Sequence, residues 1–218
     1  MRSRVYMHTA EDMSEIADES CKVLIGGSVF LGKGTPWDAY AELYRRVYVE
    51  NGQRVIRKDG VFVVGQTNAY VDGEFLCRYK LLLDLLLPCG WRLIDERVWE
   101  RRKADHFQVP FSHIMIFAPP DGTATRRNIT ESVAWLQGVW KYPQTKGGGI
   151  AGWPGTLSRM IVEALTERGD LVADPFAGTG RFLAEAARLG REGVGYEIDQ
   201  KLVPILEENG CQVIQPTK

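Results

Sequence analysis

The residue types with the most chemical content sit in two neighbouring stretches, Asp174-Pro175-Phe176-Ala177-Gly178-Thr179-Gly180 and Gly195-Tyr196-Glu197-Ile198-Asp199. Gly178 and Gly180 allow a tight backbone turn and a close approach to a ligand, because no Cβ stands in the way. Leu171, Val172 and Ala173 lead in as a short apolar strand. Arg181 to Leu189 reads as a helix with Phe182, Leu183, Ala186 and Leu189 on its apolar side. Gly193 to Tyr196 is the next strand, and Glu197 falls at its carboxyl end. In an open α/β sheet, an acidic side chain at that place can grip a ribose diol. The unit therefore predicts a nucleoside-containing cofactor. It is not a GxxxxGK[ST] phosphate loop, because no Lys-Ser or Lys-Thr follows the second glycine. It is not a G-x-G-x-x-G dinucleotide turn either, because Gly178-Thr179-Gly180-Arg181-Phe182-Leu183 lacks the third glycine.

The whole block resembles the S-adenosylmethionine-binding segment of the amino-group DNA methyltransferases, which act on adenine N6 or cytosine N4. There a DPF-x-G-[ST]-G turn precedes a helix and a G-x-E strand end. The cofactor unit comes last in this chain, which is similar to the permuted (beta) class, where the catalytic half precedes the cofactor half. The resemblance reaches most of the chain. Ile16 to Ile25 looks like the family's lead-in to its catalytic motif, and Lys58-Asp59-Gly60-Val61-Phe62-Val63 like its Lys-Pro-Gly-Gly turn and strand. Cys89-Gly90-Trp91-Arg92-Leu93 with Arg97-Val98-Trp99 looks like its Gly-Phe…Ile-Trp strand, and Gly152-Trp153-Pro154 takes the place of its His-Pro-x-x-x-Pro segment. The resemblance implies S-adenosylmethionine as cofactor, held by Asp174, Pro175, Phe176, Ala177, Gly178, Thr179, Gly180, Glu197 and Trp153. Glu197 is the expected ribose ligand. Asp174 is expected either to face the cofactor's methionine or to orient the turn.

In this family an Asp/Asn/Ser-Pro-Pro-aromatic motif follows the Val-Leu-Ile strand. A flipped base stacks on the aromatic ring, while the polar side chain and a proline carbonyl accept hydrogen bonds from the exocyclic amine. That contact aims the nitrogen at the methyl donor, and positioning supplies much of the catalysis. Here Gly26-Gly27-Ser28-Val29-Phe30 fills the place. Ser28 or Gly27 stands for the polar residue and Phe30 for the aromatic one, and both prolines are missing. The resemblance implies methyl transfer to a base in DNA, at an exocyclic amine or an unusual modified-base acceptor. Two alternatives stay open: a catalytically silent subunit or nucleic-acid-binding scaffold for an active partner, and other chemistry on the same fold and cofactor.

DNA is the expected macromolecular partner, with a homodimer or a heteromeric partner compatible with the chain. Arg101, Arg102 and Lys103 cluster with Arg97 at a predicted hairpin turn. Arg126 and Arg127 lie in a long loop with Trp135, Trp140 and Tyr142 nearby in sequence. Basic residues interleaved with aromatics suit phosphate contact and base stacking; solvated turns and packing aromatics are the plainer reading. His113, at the start of a predicted strand, reads as structural. Asp199 reads as the cap of the following helix.

The elements that must position these residues alternate. Strands are expected at Val23 to Gly26, Val61 to Val64, Trp91 to Glu100 and Ser112 to Phe117, the last two as antiparallel neighbours. Helices are expected at Trp37 to Ile56, Gly73 to Leu87 and Thr156 to Arg168. This predicts a single α/β domain over 1–218 of the Rossmann-like methyltransferase type. Its sheet is twisted and mainly parallel, with an antiparallel edge hairpin and helices on both faces. Residues 1–104 correspond to the catalytic half, 105–150 to a loop-rich target-recognition-like insert, and 151–218 to the cofactor half. The net charge of −1 over 218 residues argues against a nonspecific nucleic-acid coat, though not against a local basic cleft. Cys21, Cys77, Cys89 and Cys211 form no CxxC pair, so reduced thiols in a cytoplasmic protein are expected, with no metal site. No apolar run reaches the roughly 18 residues of a membrane span.

Overall fold

The computed structural model describes residues 3–27, 29, 35–71, 73–101, 109–126, 133–143, 145–147 and 150–216. In chain order the strands and helices are β1 (Arg4–Tyr6), β2 (Cys21–Gly26), α1 (Trp37–Tyr44), a π-helical stretch (Arg45–Asn51), α2 (Gly52–Val55), β3 (Ile56–Gln66), β4 (Ala69–Val71), β5 (Glu74–Leu76), α3 (Arg78–Leu86), β6 (Arg92–Glu100), β7 (Phe111–Ala118), α4 (Val133–Leu136), β8 (Val139–Lys141), β9 (Thr145–Gly147), β10 (Ile150–Gly152), α5 (Gly155–Leu165), β11 (Leu171–Asp174), α6 (Arg181–Arg188), β12 (Glu192–Tyr196), α7 (Val203–Glu208) and β13 (Gln212–Ile214).

Nine strands form one sheet in the order β13-β1-β12-β11-β2-β3-β7-β6-β8. From β13 to β3 every neighbour is parallel. Strand β7 runs antiparallel to both β3 and β6, which is the expected hairpin. Beyond it the short β8 pairs parallel with β6 and extends the sheet by one strand. Two small hairpins, β4–β5 and β9–β10, stand apart from the main sheet.

Side chains alternate across the central strands, and each set meets its own helical layer. Leu24, Phe62, Val64, Met115 and Phe117 pack with Tyr40, Tyr44, Tyr48, Leu82 and Leu86 of α1, the π stretch and α3. Val23, Ile25, Val61, Val63, Ile114 and Ile116 pack with Leu157, Ile161, Phe182 and Ala186 of α5 and α6. Burial on both faces explains why β2, β3 and β7 read as near-continuous apolar runs. A third cluster joins Val5, Leu183, Leu202 and Leu206 at the far end.

The expected helix over Trp37 to Ile56 is present in three pieces, and Ile56 already belongs to β3. The π stretch keeps Val47 and Tyr48 buried in the face begun by Tyr44. The Lys58-Asp59-Gly60 turn lies inside β3 as a bulge. The step from Cys21 to Val23 on β2 is matched by the longer step from Ile56 to Val61 on β3. The helix expected from Gly73 begins only at Arg78, because Tyr70 and Phe75 pair across the β4–β5 hairpin. Strands β1 and β13 carried no sequence expectation, each being three residues long.

All four cysteines are free thiols. Burial pushes the Cys21 thiol up to about 12. No helix among the described residues is long and apolar enough to cross a membrane.

Phe62 is fully buried and its ring touches three others: Tyr48 at 4.5 Å, Trp91 at 5.4 Å and Phe117 at 5.9 Å between centroids. Phe62→Ala is expected to cost about 3–5 kcal/mol of stability, the range for deleting a core phenylalanine. Denaturant unfolding of the two proteins checks it.

Candidate active site

The glycine turn is built at the carboxyl end of β11. Gly178 and Gly180 sit at φ of +54° and +73°, in the left-handed region where a side chain is strained, and Gly180 starts α6. The Gly180 N–H closes the turn on the Ala177 carbonyl at 2.8 Å. Strand β12 runs alongside, and the Ala177 N–H donates to the Tyr196 carbonyl at 2.9 Å. Glu197 therefore emerges beside the turn rather than elsewhere on the sheet edge.

Its carboxylate is firmly placed. Oε2 accepts the Gly178 N–H at 2.9 Å, and Oε1 accepts the N–H groups of Ile198 and Asp199 at 2.8 Å each. One side chain thus straps the glycine turn to the end of β12. Oε1 is engaged twice and Oε2 once, so Oε2 keeps room for a further donor. Asp199 caps the next turn, its Oδ1 accepting the Lys201 N–H at 3.0 Å, as expected from the sequence.

Asp174 closes β11 and is 5% exposed. Burial pushes its carboxyl from 3.8 up to about 7; the Phe176 N–H bonded to Oδ1 opposes that rise, and the neighbouring Glu197 charge adds to it. A buried carboxylate of this kind favours a cationic partner, which would restore the lost solvation. The Phe176 ring meets Tyr48 edge-on at 5.9 Å and 89°, which ties the turn to the π stretch.

A cleft of about 440 Å³ opens along this sheet edge. Asp174, Phe176, Ala177, Gly178 and Thr179 line one end. Gly27 and Val29, which follow β2, line it too, with Gly65, Thr67, Ser112, Trp99 and Trp153 from the neighbouring segments. Trp153 lies flat against Gly65; a Cβ there would fall 2.2 Å from Cζ2, so only glycine admits the ring. Trp99 and Phe182 pack on its other sides, both at 5.1 Å between centroids. Thr67 and Ser112 share a hydroxyl hydrogen bond of 2.6 Å.

Three arginines also line the cleft, Arg78, Arg101 and Arg181. Arg101 was expected near nucleic acid. Its guanidinium donates to the Val109 carbonyl at 2.7 Å and its side chain borders the cleft. Arg181 donates to the Trp153 carbonyl at 3.1 Å and so anchors that segment to α6. Arg78 stands over the Tyr40 ring at 5.7 Å. Arg126 is largely exposed and approaches Asp95 at 3.7 Å. Arg97, grouped in the sequence with the basic turn, is instead 5% exposed. It pairs with buried Asp95 at 2.5 Å and donates to the Trp135 carbonyl at 2.9 Å, which pins α4 to β6. His113 holds Glu96 at 2.7 Å under the Tyr79 ring, a structural role. Ser28, Phe30, Arg102, Lys103 and Arg127 lie outside the described residues. Among the described residues no group of three or more His, Cys, Asp or Glu side chains could hold a metal ion.

Arg78 and Arg181 were missed by sequence reasoning. Arg181 follows Gly-Thr-Gly directly, a signal that was available. Arg78 was hidden because a helix drawn from Gly73 gives no reason to single it out.

A model of the DNA methylase family matches residues 33–208. Type II methyltransferase M.MjaI of Methanocaldococcus jannaschii is 43% identical over 81 residues, covering 34% of this chain and 26% of that protein. Type II methyltransferase M.BglI of Bacillus subtilis is 26% identical over 136 residues, covering 55% of this chain and 39% of that protein. The chain thus spans well under half the length of either relative. In fold, it matches a putative DNA modification methylase of Thermus thermophilus, crystallised with S-adenosyl-L-methionine, with a TM-score of 0.83, 18% identity and 99% of both chains covered. It also matches the cytosine-N4-specific PvuII DNA methyltransferase with a TM-score of 0.76, 16% identity, and 98% and 95% of the two chains covered.

Two outcomes follow from the geometry. Glu197→Gln replaces one acceptor oxygen with an amide that cannot accept the N–H groups now bound. Nucleoside-cofactor affinity is expected to fall by roughly tenfold to a hundredfold, the scale of one charge-assisted hydrogen bond; calorimetric titration with S-adenosylhomocysteine measures it. The second concerns Asp174, whose folded pKa of about 7 lies above the reference value of 3.8. Between those values the folded state keeps a proton that the unfolded state has released, so this group's contribution to stability falls as pH rises from about 4 to about 7. Asp174→Asn keeps an acceptor for Phe176 and removes that dependence. The melting temperature of the ligand-free variant, relative to the parent, is expected to climb between pH 5 and pH 8. A pH-independent difference would remove the raised titration from Asp174.

Proposed function

This chain belongs to the N6/N4 family of DNA methylases, and from that premise we propose that it transfers a methyl group from S-adenosylmethionine to a base in DNA. One observation carries the reading: a single cleft runs from the glycine turn to the segment after β2, with Asp174 to Thr179 at one end and Gly27 and Val29 lining the same space. Donor and acceptor sites for a direct transfer must share one cavity, and this shared lining supports that reading.

The residues present fit the cofactor. Gly178 and Gly180 give a turn free of Cβ atoms, and Glu197 offers an oriented carboxylate to a ribose hydroxyl. Asp174 offers a buried carboxylate to an ammonium group. Ile198, 70% exposed beside Glu197, offers an apolar surface to a planar base. Trp153, Phe176, Ala177 and Thr179 enclose the remainder, while Pro175 holds the turn between Asp174 and Phe176. When bound, the cofactor's sulfonium supplies an electrophilic methyl group.

This chain's own part in catalysis is positional. Ser28 and Phe30 are assigned to the acceptor, Ser28 accepting from its amine and Phe30 stacking on its ring. Arg101, Arg102, Lys103, Arg126 and Arg127 are assigned to phosphate contact. The halves 1–104 and 151–218 supply acceptor and cofactor sites, and 105–150 the target contacts. A second reading is favoured by one feature, the lack of both prolines in Gly26-Gly27-Ser28-Val29-Phe30. Without them the chain is a silent, cofactor-binding subunit for an active partner.

Titration with S-adenosylmethionine, followed by methyl transfer to unmodified DNA, tests both readings. Binding with transfer is expected, and Phe30→Ala should abolish transfer while sparing cofactor affinity. Binding without transfer would replace the enzyme reading with the silent-subunit one; no binding would sink both.

A further inference from the structure

Tyr70 and Phe75 are large rings left in water, with 56% and 52% of their surface exposed. They face each other directly across the β4–β5 hairpin, edge to face, with centroids 5.4 Å apart. An isolated two-stranded hairpin is marginal in water. This one is held at its base, where the Asn68 side-chain carbonyl accepts the Tyr79 N–H at 3.0 Å across the foot of the hairpin. Its place is specific. Thr67 leads into it and Arg78 leads out of it, and both line the cleft. Alternation along β5 puts Glu74 on the face opposite the ring pair, so the aromatic face carries no carboxylate from that strand.

The cleft that Thr67 and Arg78 border carries more basic than acidic side chains. Among its described lining residues Arg78, Arg101 and Arg181 stand against one carboxylate, Asp174. An anionic, π-rich partner matches an aromatic finger rising from an arginine-lined cleft better than an apolar protein surface does. A base can enter such a cleft only by leaving its stack, which uncovers the faces of its neighbours and orphans its partner. Each arm is three residues long, about 10 Å at about 3.3 Å per residue, a length that suits a groove.

We propose that the β4–β5 hairpin is a DNA-contacting finger, with Tyr70 and Phe75 stacking on bases exposed when another base enters the cleft. This rests on the DNA reading above and adds the element that stabilises the opened duplex. Stacking of this kind tolerates any sequence, because every base has a π face. The hairpin therefore contributes to opening rather than to recognition of a particular site.

The test uses the full chain with S-adenosylhomocysteine and two duplexes of one sequence, one fully paired and one with a single abasic site. Anisotropy titrations are expected to show tighter binding to the abasic duplex, by roughly tenfold, the scale of one stacked base. A Tyr70→Ala/Phe75→Ala double variant should lose that preference while keeping cofactor affinity and affinity for paired DNA within about twofold. Both side chains are half exposed, so the variant should keep the parent's melting temperature; Tyr70→Leu/Phe75→Leu, which retains apolar bulk without a π face, repeats the test independently of hairpin stability. An abasic preference retained by both double variants would overturn the inference and leave the methyl-transfer reading intact. So would self-association of the parent that the variants lose, which would assign the rings to an interface between copies of the chain. A parent that binds cofactor but neither duplex would overturn the inference together with the choice of DNA as substrate.

Discussion

Parallel pairing of β12, β11, β2 and β3 brings their carboxyl ends to one edge of the sheet, and the candidate site hangs from that edge. The constraint is steric and hydrogen-bonded at once. Each parallel strand must be followed by a crossover, so its loop is delivered where its neighbours deliver theirs. The glycine turn after β11, Glu197 after β12, Gly27 after β2 and Thr67 after β3 therefore meet, although residues 27 and 197 are far apart in the chain. Burial of both sheet faces keeps the register from slipping, since Leu24 and Phe62 face one helical layer and Ile25 and Val63 the other.

On that edge the polar groups divide into two kinds. Glu197 straps the turn to β12 through three backbone N–H groups, and its Oε2 keeps room for a further donor. Asp174 is buried with one backbone donor and a neighbouring negative charge, and its carboxyl is raised accordingly. A site that holds an under-solvated carboxylate beside a pre-ordered one is poised for a ligand with a cationic end and a hydroxylated end. Arg78, Arg101 and Arg181 line the same cleft, so one cavity offers a buried carboxylate to a cation and guanidinium groups to an anion.

The aromatic residues also separate by role. Tyr44, Tyr48, Phe62, Trp91 and Phe117 form a buried chain of rings under β3. Trp99, Trp153 and Phe182 wall the cleft, and Gly65 has no side chain to keep Trp153 off the strand. Tyr70 and Phe75 stand half in water on a hairpin of their own.

The glycine-turn end of the candidate site was legible in the sequence because its pieces are local. A short apolar strand, two glycines, an amphipathic helix and an acidic strand end lie within about 30 residues, each with its own propensity signal. The order of elements along the chain and the alternation of strands with helices were legible for the same reason, and the parallel sheet followed from them. The rest is set by contacts between distant segments. Nothing local to Gly65 announces Trp153, and nothing near Arg97 announces that Trp135 covers it. Strand β5 falls within the expected helix, since Gly73 to Leu87 carries a helical period and only the pairing of Phe75 with Tyr70 overrides it. Strands β1 and β13 are too short to show a period; β1 adds to the edge of β12, and β13 adds to the edge of β1. Sequence alone thus determined the strand–glycine turn–helix unit and the sheet it belongs to, because both are written in near neighbours. Only the tertiary structure decided which arginines reach the cleft and which rings face water, because burial and pairing depend on residues brought together by the fold.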